Sequence, residues 1–260
     1  MRVYFIGVGE AFDEQLPNTS LLALPDSYDA DAVLLDCGFT AAAAFFRHAP
    51  RLHADSLSAV YLTHMHGDHF MGLPWLLHRL GEDGRTTPLK ILGPTEAHAT
   101  IPAAYELAYP GSLAKLPFSL AFVNVSPGTN ITMGDWRFRF APSIHSQPNL
   151  SVRLERKGKV LFYSGDGAPG PGSAQLARGA DLIVQESYFL EEERGAAGAS
   201  GHGSVEGSIR LARDARAARL ALVHIARSVR HGRRPELDAM TAAADGVQAF
   251  VPQPGYMLTI

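Results

Sequence analysis

Three histidines and an aspartate fall within six positions in the segment Thr63-His64-Met65-His66-Gly67-Asp68-His69. The segment follows Ala59 to Thr63, a short apolar run that reads as a buried strand. Neutral imidazole is the commonest metal-ligating side chain, and carboxylates bind the same borderline metals. In a loop leaving a strand, His64 and His66 point to one side and reach one ion. Asp68 and His69 sit a few residues on, at a helix start, where they reach a second. Gly67 is expected to let the backbone turn sharply between the two pairs. A solvated polar loop is the competing reading for a lone histidine, but four such side chains crowded together repel one another on protonation unless a metal holds them.

The rest of the chain supplies a framework for this cluster. Strands are expected at Arg2 to Ile6, Ser20 to Leu24, Ala32 to Leu35, Lys90 to Leu92 and Phe118 to Val125. Further strands are expected at Trp136 to Ala141, Leu150 to Arg156, Val160 to Tyr163, Asp181 to Val184, Leu220 to Ile225 and Tyr256 to Ile260. Trp136-Arg137-Phe138-Arg139-Phe140 alternates apolar and basic residues, the pattern of a half-buried strand. The polar turn Pro25 to Asp29 suggests a hairpin. Helices are expected at Thr40 to His48, Phe70 to Leu80, Thr95 to Leu107 with Pro102 as its weak point, and from a Ser204 cap to about Ala218. Glu191 to Gly203 reads as a mobile lid or rim. Strands that begin in hairpins and later alternate with helices favour one α/β or α+β domain spanning 1–260.

Composition excludes several classes. A disordered chain is apolar-poor, whereas 46% of this one is hydrophobic. Cys37 is the only cysteine, so no disulfide scaffold forms. Acidic residues number 26 against 23 basic, without the basic excess typical of proteins that grip long nucleic acid. No apolar run approaches the length of a membrane helix, and the amino terminus lacks the pattern of a signal peptide. A cytoplasmic location is the expectation.

The pattern His-x-His-x-Asp-His resembles the signature of the metallo-β-lactamase fold hydrolases. The longer stretch from Leu62 to Leu77, with Gly72-Leu73-Pro74 after the cluster, is similar to the ribonuclease Z branch. Phe5-Ile-Gly-Val-Gly-Glu-Ala-Phe12, Asn18-Thr19-Ser20 and Leu34-Leu-Asp-Cys-Gly38 also resemble that branch, and the likeness covers nearly the whole chain. It implies an αββα sandwich of two mixed β-sheets flanked by helices, with two divalent ions, zinc first, manganese or iron as alternatives. By the same resemblance His145, Asp166 and His224 complete the ligands. One ion takes His64, His66, His145 and Asp166; the other takes Asp68, His69, Asp166 and His224. His202 in Gly201-His-Gly-Ser204 resembles the branch's histidine that helps the leaving group depart, although Gly203 intrudes between His202 and Ser204. Glu186 is similar in context to a glutamate that orients this histidine; a plain strand-end glutamate is the other reading. Asp36 is read as a partner of a ligand histidine or as a turn residue.

The implied activity is hydrolysis of a phosphodiester by a water activated between two metal ions, with Asp68, His202 and Glu186 as the catalytic residues. The segment between His145 and Asp166 leaves room for a hairpin and not for the long arm with which ribonuclease Z grips transfer RNA. The expected substrate is therefore a small or cyclic phosphodiester or a short nucleic acid. Arg227, Arg230, His231, Arg233 and Arg234 either line the cleft and bind phosphate or form a solvated rim. The alternatives are a lactonase or thioesterase on the same fold, a di-iron redox member, and, more distantly, a non-catalytic binding protein. A homodimer is left open.

Overall fold

A computed structural model describes residues 1–26, 31–193 and 201–260. The chain folds into two compact units, and it crosses between them more than once. The first comprises Met1–Gly7, Pro17–Val125 and Pro254–Thr259; the second comprises Val8–Leu16, Ser126–Gln253 and Ile260.

The first unit carries β1 (Arg2–Gly7), β2 (Ser20–Leu24), β3 (Ala32–Leu35), β4 (Leu57–Tyr61), β5 (Leu89–Gly93), β6 (Leu120–Asn124) and the C-terminal β14 (Met257–Thr259). They form one sheet in the order β14-β1-β2-β3-β4-β5-β6. β14, β1, β2 and β3 pair antiparallel, and β3 to β6 run parallel. β1, β2 and β3 are buried along their whole length, which is why they read as unbroken apolar runs. Helices α1 (Ala41–His48), α2 (Gly67–Phe70), α3 (Leu73–Glu82) and α4 (Ala97–Ala108) belong to this unit. Leu73, Leu76, Leu77 and Leu80 repeat at helical spacing and pack with Phe45, Ile101 and Tyr105 on Ile6, Leu22, Leu34, Val60 and Ile91 of the sheet.

The second unit carries β7 (Asn130–Met133), β8 (Trp136–Pro142), β9 (Leu150–Arg156), β10 (Lys159–Tyr163), β11 (Leu182–Glu186), β12 (Arg219–Val223) and β13 (Gln248–Phe250) in the order β13-β12-β11-β10-β9-β8-β7. Its helices are α5 (Pro171–Leu176), α6 (Val205–Asp214), α7 (Arg227–Gly232) and α8 (Arg234–Ala242). Val205, Ile209 and Ala212 of α6, Val229 of α7 and Leu237 of α8 pack against Phe162, Ile183, Leu220 and Leu222. β9 and β10 form a tight hairpin that occupies most of the segment between His145 and Asp166, as the short spacing requires.

The structure corrects several local expectations. The helix expected over Phe70 to Leu80 is two helices, because Gly72 leaves α2 to donate its N–H to the Cys37 carbonyl at 2.9 Å. α4 runs through Pro102; buried Ile101 and Tyr105 hold it to the core on either side of the missing donor. α6 stops at Asp214, not near Ala218, because Arg216 takes a left-handed conformation (φ 53°) and Ala217 N–H turns back to the Ala212 carbonyl. Helices α5, α7 and α8 and strands β7 and β13 had no counterpart in the sequence reading. Residues 194–200 of the expected lid and 27–29 of the expected turn lie outside the described residues; Glu191–Glu193 is one turn of 3-10 helix.

Candidate active site

In the first unit the candidate residues cluster where parallel strands end. Asp36 follows β3 and the histidine segment follows β4, its parallel neighbour. Carboxyl ends of parallel strands are where open α/β sheets place ligands. Leu62 N–H is the last to bond into the sheet, to the Leu92 carbonyl at 2.8 Å, and the chain then leaves it. Asp36 sits in a left-handed conformation (φ 59°), with its side chain fully buried. It accepts hydrogen bonds from Thr63 N–H at 2.8 Å and from the Thr63 hydroxyl at 2.9 Å, and it lies 2.8 Å from His69 Nδ1.

These bonds fix two tautomers. A carboxylate only accepts, so His69 carries its proton on Nδ1. The Thr63 hydroxyl has one hydrogen, given to Asp36, so it accepts from His64 Nδ1 at 3.0 Å. Both rings therefore turn a lone pair outward at Nε2, the state a metal ligand needs. The His64 ring lies 4.6 Å from that of His66 and 4.2 Å from that of His69, centroid to centroid. Asp68 Oδ2 is 3.2 Å from His69 Nε2. Four donor side chains are thus gathered, as their spacing implied. The role of Gly67 differs from expectation: its φ is not positive, and a Cβ there would stand 2.3 Å from the Phe39 ring. Space beside the exposed Phe39 ring, not turn geometry, favours glycine.

The second unit repeats the logic. β10, β11 and β12 run parallel, and β8 shares their direction because two antiparallel pairings separate it from β10. His145 follows β8, Asp166 follows β10, Glu186 ends β11 and His224 follows β12, so all four lie toward one edge of the sheet. Backbone bonds lace their loops together. Ile144 and Ala168 exchange N–H···O bonds of 2.9 and 3.0 Å, and Ala168 N–H also reaches the Gly201 carbonyl at 2.9 Å. The Ser143 hydroxyl donates to the Asp166 carbonyl at 2.6 Å, and Asp166 N–H donates to Asn149 Oδ1 at 3.2 Å. His224 is held in a left-handed conformation (φ 52°) with its N–H on the Val8 carbonyl at 3.0 Å, and its Nε2 lies 3.5 Å from Asp166 Oδ2.

His202 stands in this group. Its Nδ1 lies 2.7 Å from Oε1 of fully buried Glu186. Glu186 also accepts from the N–H groups of Gly167 and Gly203. The intrusion of Gly203 thus supplies a further donor to the carboxylate. Tyr188 stacks on the His202 ring at 4.5 Å and 19°, and the rings of His145 and His224 lie 5.1 and 5.9 Å away. Ligand-capable atoms of Glu186, His202 and His224 lie within 4.8 Å of one another. Burial works against the protonated ring, but the Glu186 hydrogen bond and charge, aided by Asp166, outweigh it and raise the His202 pKa above its ordinary value. Gly201 takes φ 73°, and a Cβ there would come 2.9 Å from His145 Cα, so no other residue fits without moving His145.

The basic segment after His224 is mostly spent on ion pairs. Arg227 reaches Glu10 at 2.7 Å, His231 reaches Asp13 at 2.9 Å, Arg233 pairs with Glu192, Glu193 and Glu236, and Arg234 pairs with Asp238 at 2.8 Å. Arg230 differs: it is buried and bonds only a backbone carbonyl among the partners the structure gives it. Sequence reasoning passed over Glu10, Asp13, Asn149 and Tyr188. Only Tyr188, two residues beyond Glu186, carried a positional hint.

The profile of the β-lactamase superfamily domain matches residues 31–225, well over half of the chain. The chain belongs to the β-lactamase superfamily. Among its relatives in this superfamily, the ribonuclease Z of Methanothermobacter thermautotrophicus is 26% identical over 275 residues, covering 86% of each chain. That alignment is longer than this whole chain of 260 residues, so the relative carries segments with no counterpart here. Among solved structures, the short form of human tRNase Z superposes with a TM-score of 0.82 at 21% identity, covering 100% of this chain and 99% of that one. The metallo-β-lactamase fold protein YhfI from Bacillus subtilis gives a TM-score of 0.76 at 23% identity, covering 99% and 98%. The fold is a ribonuclease Z-like metallo-β-lactamase fold, with two mixed sheets flanked by helices.

Proposed function

We propose that this protein is a metal-dependent phosphodiesterase acting on short RNA or on a small or cyclic phosphodiester. The observation that carries the reading is the His202–Glu186 pair beside Asp166 and His224. An imidazole whose protonated form is favoured by a buried carboxylate is suited to give a proton to a departing oxygen. The ribonuclease Z relatives and the superfamily match support the same class of reaction.

The donor set fits divalent metal. Imidazole nitrogens with the opposite nitrogen hydrogen-bonded, accompanied by carboxylates, are the ligands zinc takes; manganese and iron accept them too. In this reading, and as the family resemblance implies, His64, His66, His145 and Asp166 would hold one ion, and Asp68, His69, Asp166 and His224 would hold a second. Ions in such a site bring the pKa of water toward neutrality and offset charge that builds on the phosphate oxygens. Asp68 accepts the proton of the attacking water. His202 donates to the leaving oxygen, and Glu186 and Tyr188 hold its ring in place. The β9–β10 hairpin, in place of an arm, favours short substrates.

The test is turnover of bis(p-nitrophenyl) phosphate and of a short single-stranded RNA by zinc-reconstituted protein. Turnover of both is expected, and Asp68→Ala is expected to lower it about a hundredfold or more. Full metal occupancy without turnover of either substrate, alongside hydrolysis of a lactone or thioester, would overturn the phosphodiester reading.

A further inference from the structure

Beyond the reactive cluster, the second unit contains a cavity of about 440 Å³ lined by Gln15, Leu16, Arg230, His231, Arg234 and Gln253. Arg230 is its unusual member. Its side chain is 4% exposed, and Nη2 donates to the Pro252 carbonyl at 2.6 Å. Nη1 is buried and has no hydrogen-bond partner among the described residues. A buried guanidinium without a carboxylate is costly, because a charge taken from water needs a counter-charge or a full set of hydrogen bonds.

The acidic groups nearby are already engaged. The Asp13 carboxylate takes His231 Nε2 at 2.9 Å and the N–H groups of Gln15 and Leu16 at 2.9 and 3.1 Å. Asp238 takes Arg234 Nε at 2.8 Å. Burial, and after it the neighbouring Arg234, lower the Arg230 pKa to about 10, which leaves it charged at neutral pH. A buried cation with an unpartnered donor therefore lines a cavity far larger than one water, flanked by a second arginine and two side-chain amides.

We propose that this cavity is an oxyanion subsite that takes a phosphate group, with the Arg230 guanidinium as its principal donor, its buried Nη1 reaching the anion as the side chain turns toward the cavity, and Gln15, Gln253 and Arg234 around it. A phosphate offers oxygens in several directions at once, which suits donors that arrive from separate segments of the chain. The preference for phosphate over other oxyanions rests on the phosphodiesterase reading; the subsite itself does not. The phosphate comes either from a substrate, away from the scissile bond, or from the free ion.

The experiment is a titration of zinc-loaded protein with inorganic phosphate at constant ionic strength. The readout is the Arg230 Nε–H signal in nitrogen-15-resolved NMR, assigned by its loss in Arg230→Lys. That signal is local, so phosphate held elsewhere does not mimic the result. A saturable shift is expected. Gln253→Glu places a carboxylate at an exposed position of the cavity and is expected to weaken binding about tenfold or more without unfolding the protein. No shift at tens of millimolar phosphate, or equal affinity in Gln253→Glu, overturns the subsite. A short oligoribonucleotide that shifts the signal at far lower concentration than inorganic phosphate identifies a substrate phosphate as the occupant; a shift by inorganic phosphate alone identifies the free ion. Turnover of bis(p-nitrophenyl) phosphate on the same sample separates the two readings. Turnover without a shift overturns the subsite alone, and a shift without turnover overturns the phosphodiesterase alone.

Discussion

His202 is biased toward its protonated form by company rather than by exposure. Burial disfavours the proton, and the 2.7 Å contact with Glu186 more than offsets that. A general acid matters in proportion to how poor the leaving group is. Replacing His202 by Ala is therefore expected to slow cleavage of RNA about a hundredfold or more while sparing bis(p-nitrophenyl) phosphate, whose phenolate leaves without help. Comparing the two rates in one variant checks this, and an equal loss on both would assign His202 a structural role. Glu186→Gln is expected to reproduce the selectivity in weaker form, because an amide holds the ring but carries no charge. Legibility at this scale followed sequence distance. His64, His66, Asp68 and His69 declare themselves because four donors sit within six positions. His145 and His224 needed the family's motif order, since a lone histidine after a strand signals little. Arg230 could not be told from Arg227 or Arg234, because only folding decides which arginine is buried.

Two elements, the helix α6 and the 3-10 turn Ala54–Ser56, each lean on one polar side chain. Ser204 accepts the Gly207 N–H at 3.1 Å to start α6, and it stands directly after the His202 loop. Ser204→Ala is expected to cost about 1 kcal/mol, read as a lower midpoint in denaturant. Asp55 ties its 3-10 turn to the residues before β5, accepting the N–H groups of Thr87 and Thr86 at 2.9 Å and the Thr87 hydroxyl at 2.8 Å. Those bonds, the Thr87 backbone bond foremost, hold the Asp55 carboxyl well below its usual range. A carboxyl depressed by folding adds stability above its unfolded pKa of about 3.9 and loses it as pH falls through and below that value. Asp55→Asn is thus expected to melt lower than the parent at neutral pH. The gap should close as pH falls below about 4, and a constant gap would refute the assignment. Long apolar strands were legible because burial on both faces leaves little ambiguity. α7 and α8 were not, because Gly232 and Pro235 break a run rich in arginine whose apolar face is Val229, Leu237 and the partly buried Met240.

For the whole molecule, the acidic balance and the short β9–β10 connection bear on how substrate is held. A nuclease that grips a long polyanion loses affinity steeply with salt, in proportion to the phosphates it neutralises. Here kcat/KM is expected to depend weakly on salt and to change little as an RNA substrate is lengthened. A steep salt slope, or a marked gain with length, would show an extended binding track. The α/β class was readable from the alternation of strands and helices, and the two mixed sheets from the family resemblance. The division into two compact units was not, because it is set by where a chain re-enters a fold and not by local pattern. Val8–Leu16 leaves the first unit for the second before β2 begins, and the chain returns for β14.

That return carries a consequence for synthesis. Arg2, Val3 and Tyr4 of β1 register with Thr259, Leu258 and Met257, almost the full sequence away. While the ribosome is still working, one flank of β1 presents unpaired amides on an apolar strand, an invitation to pair with another nascent chain. That opening closes only when Met257–Thr259 emerges and seals the flank.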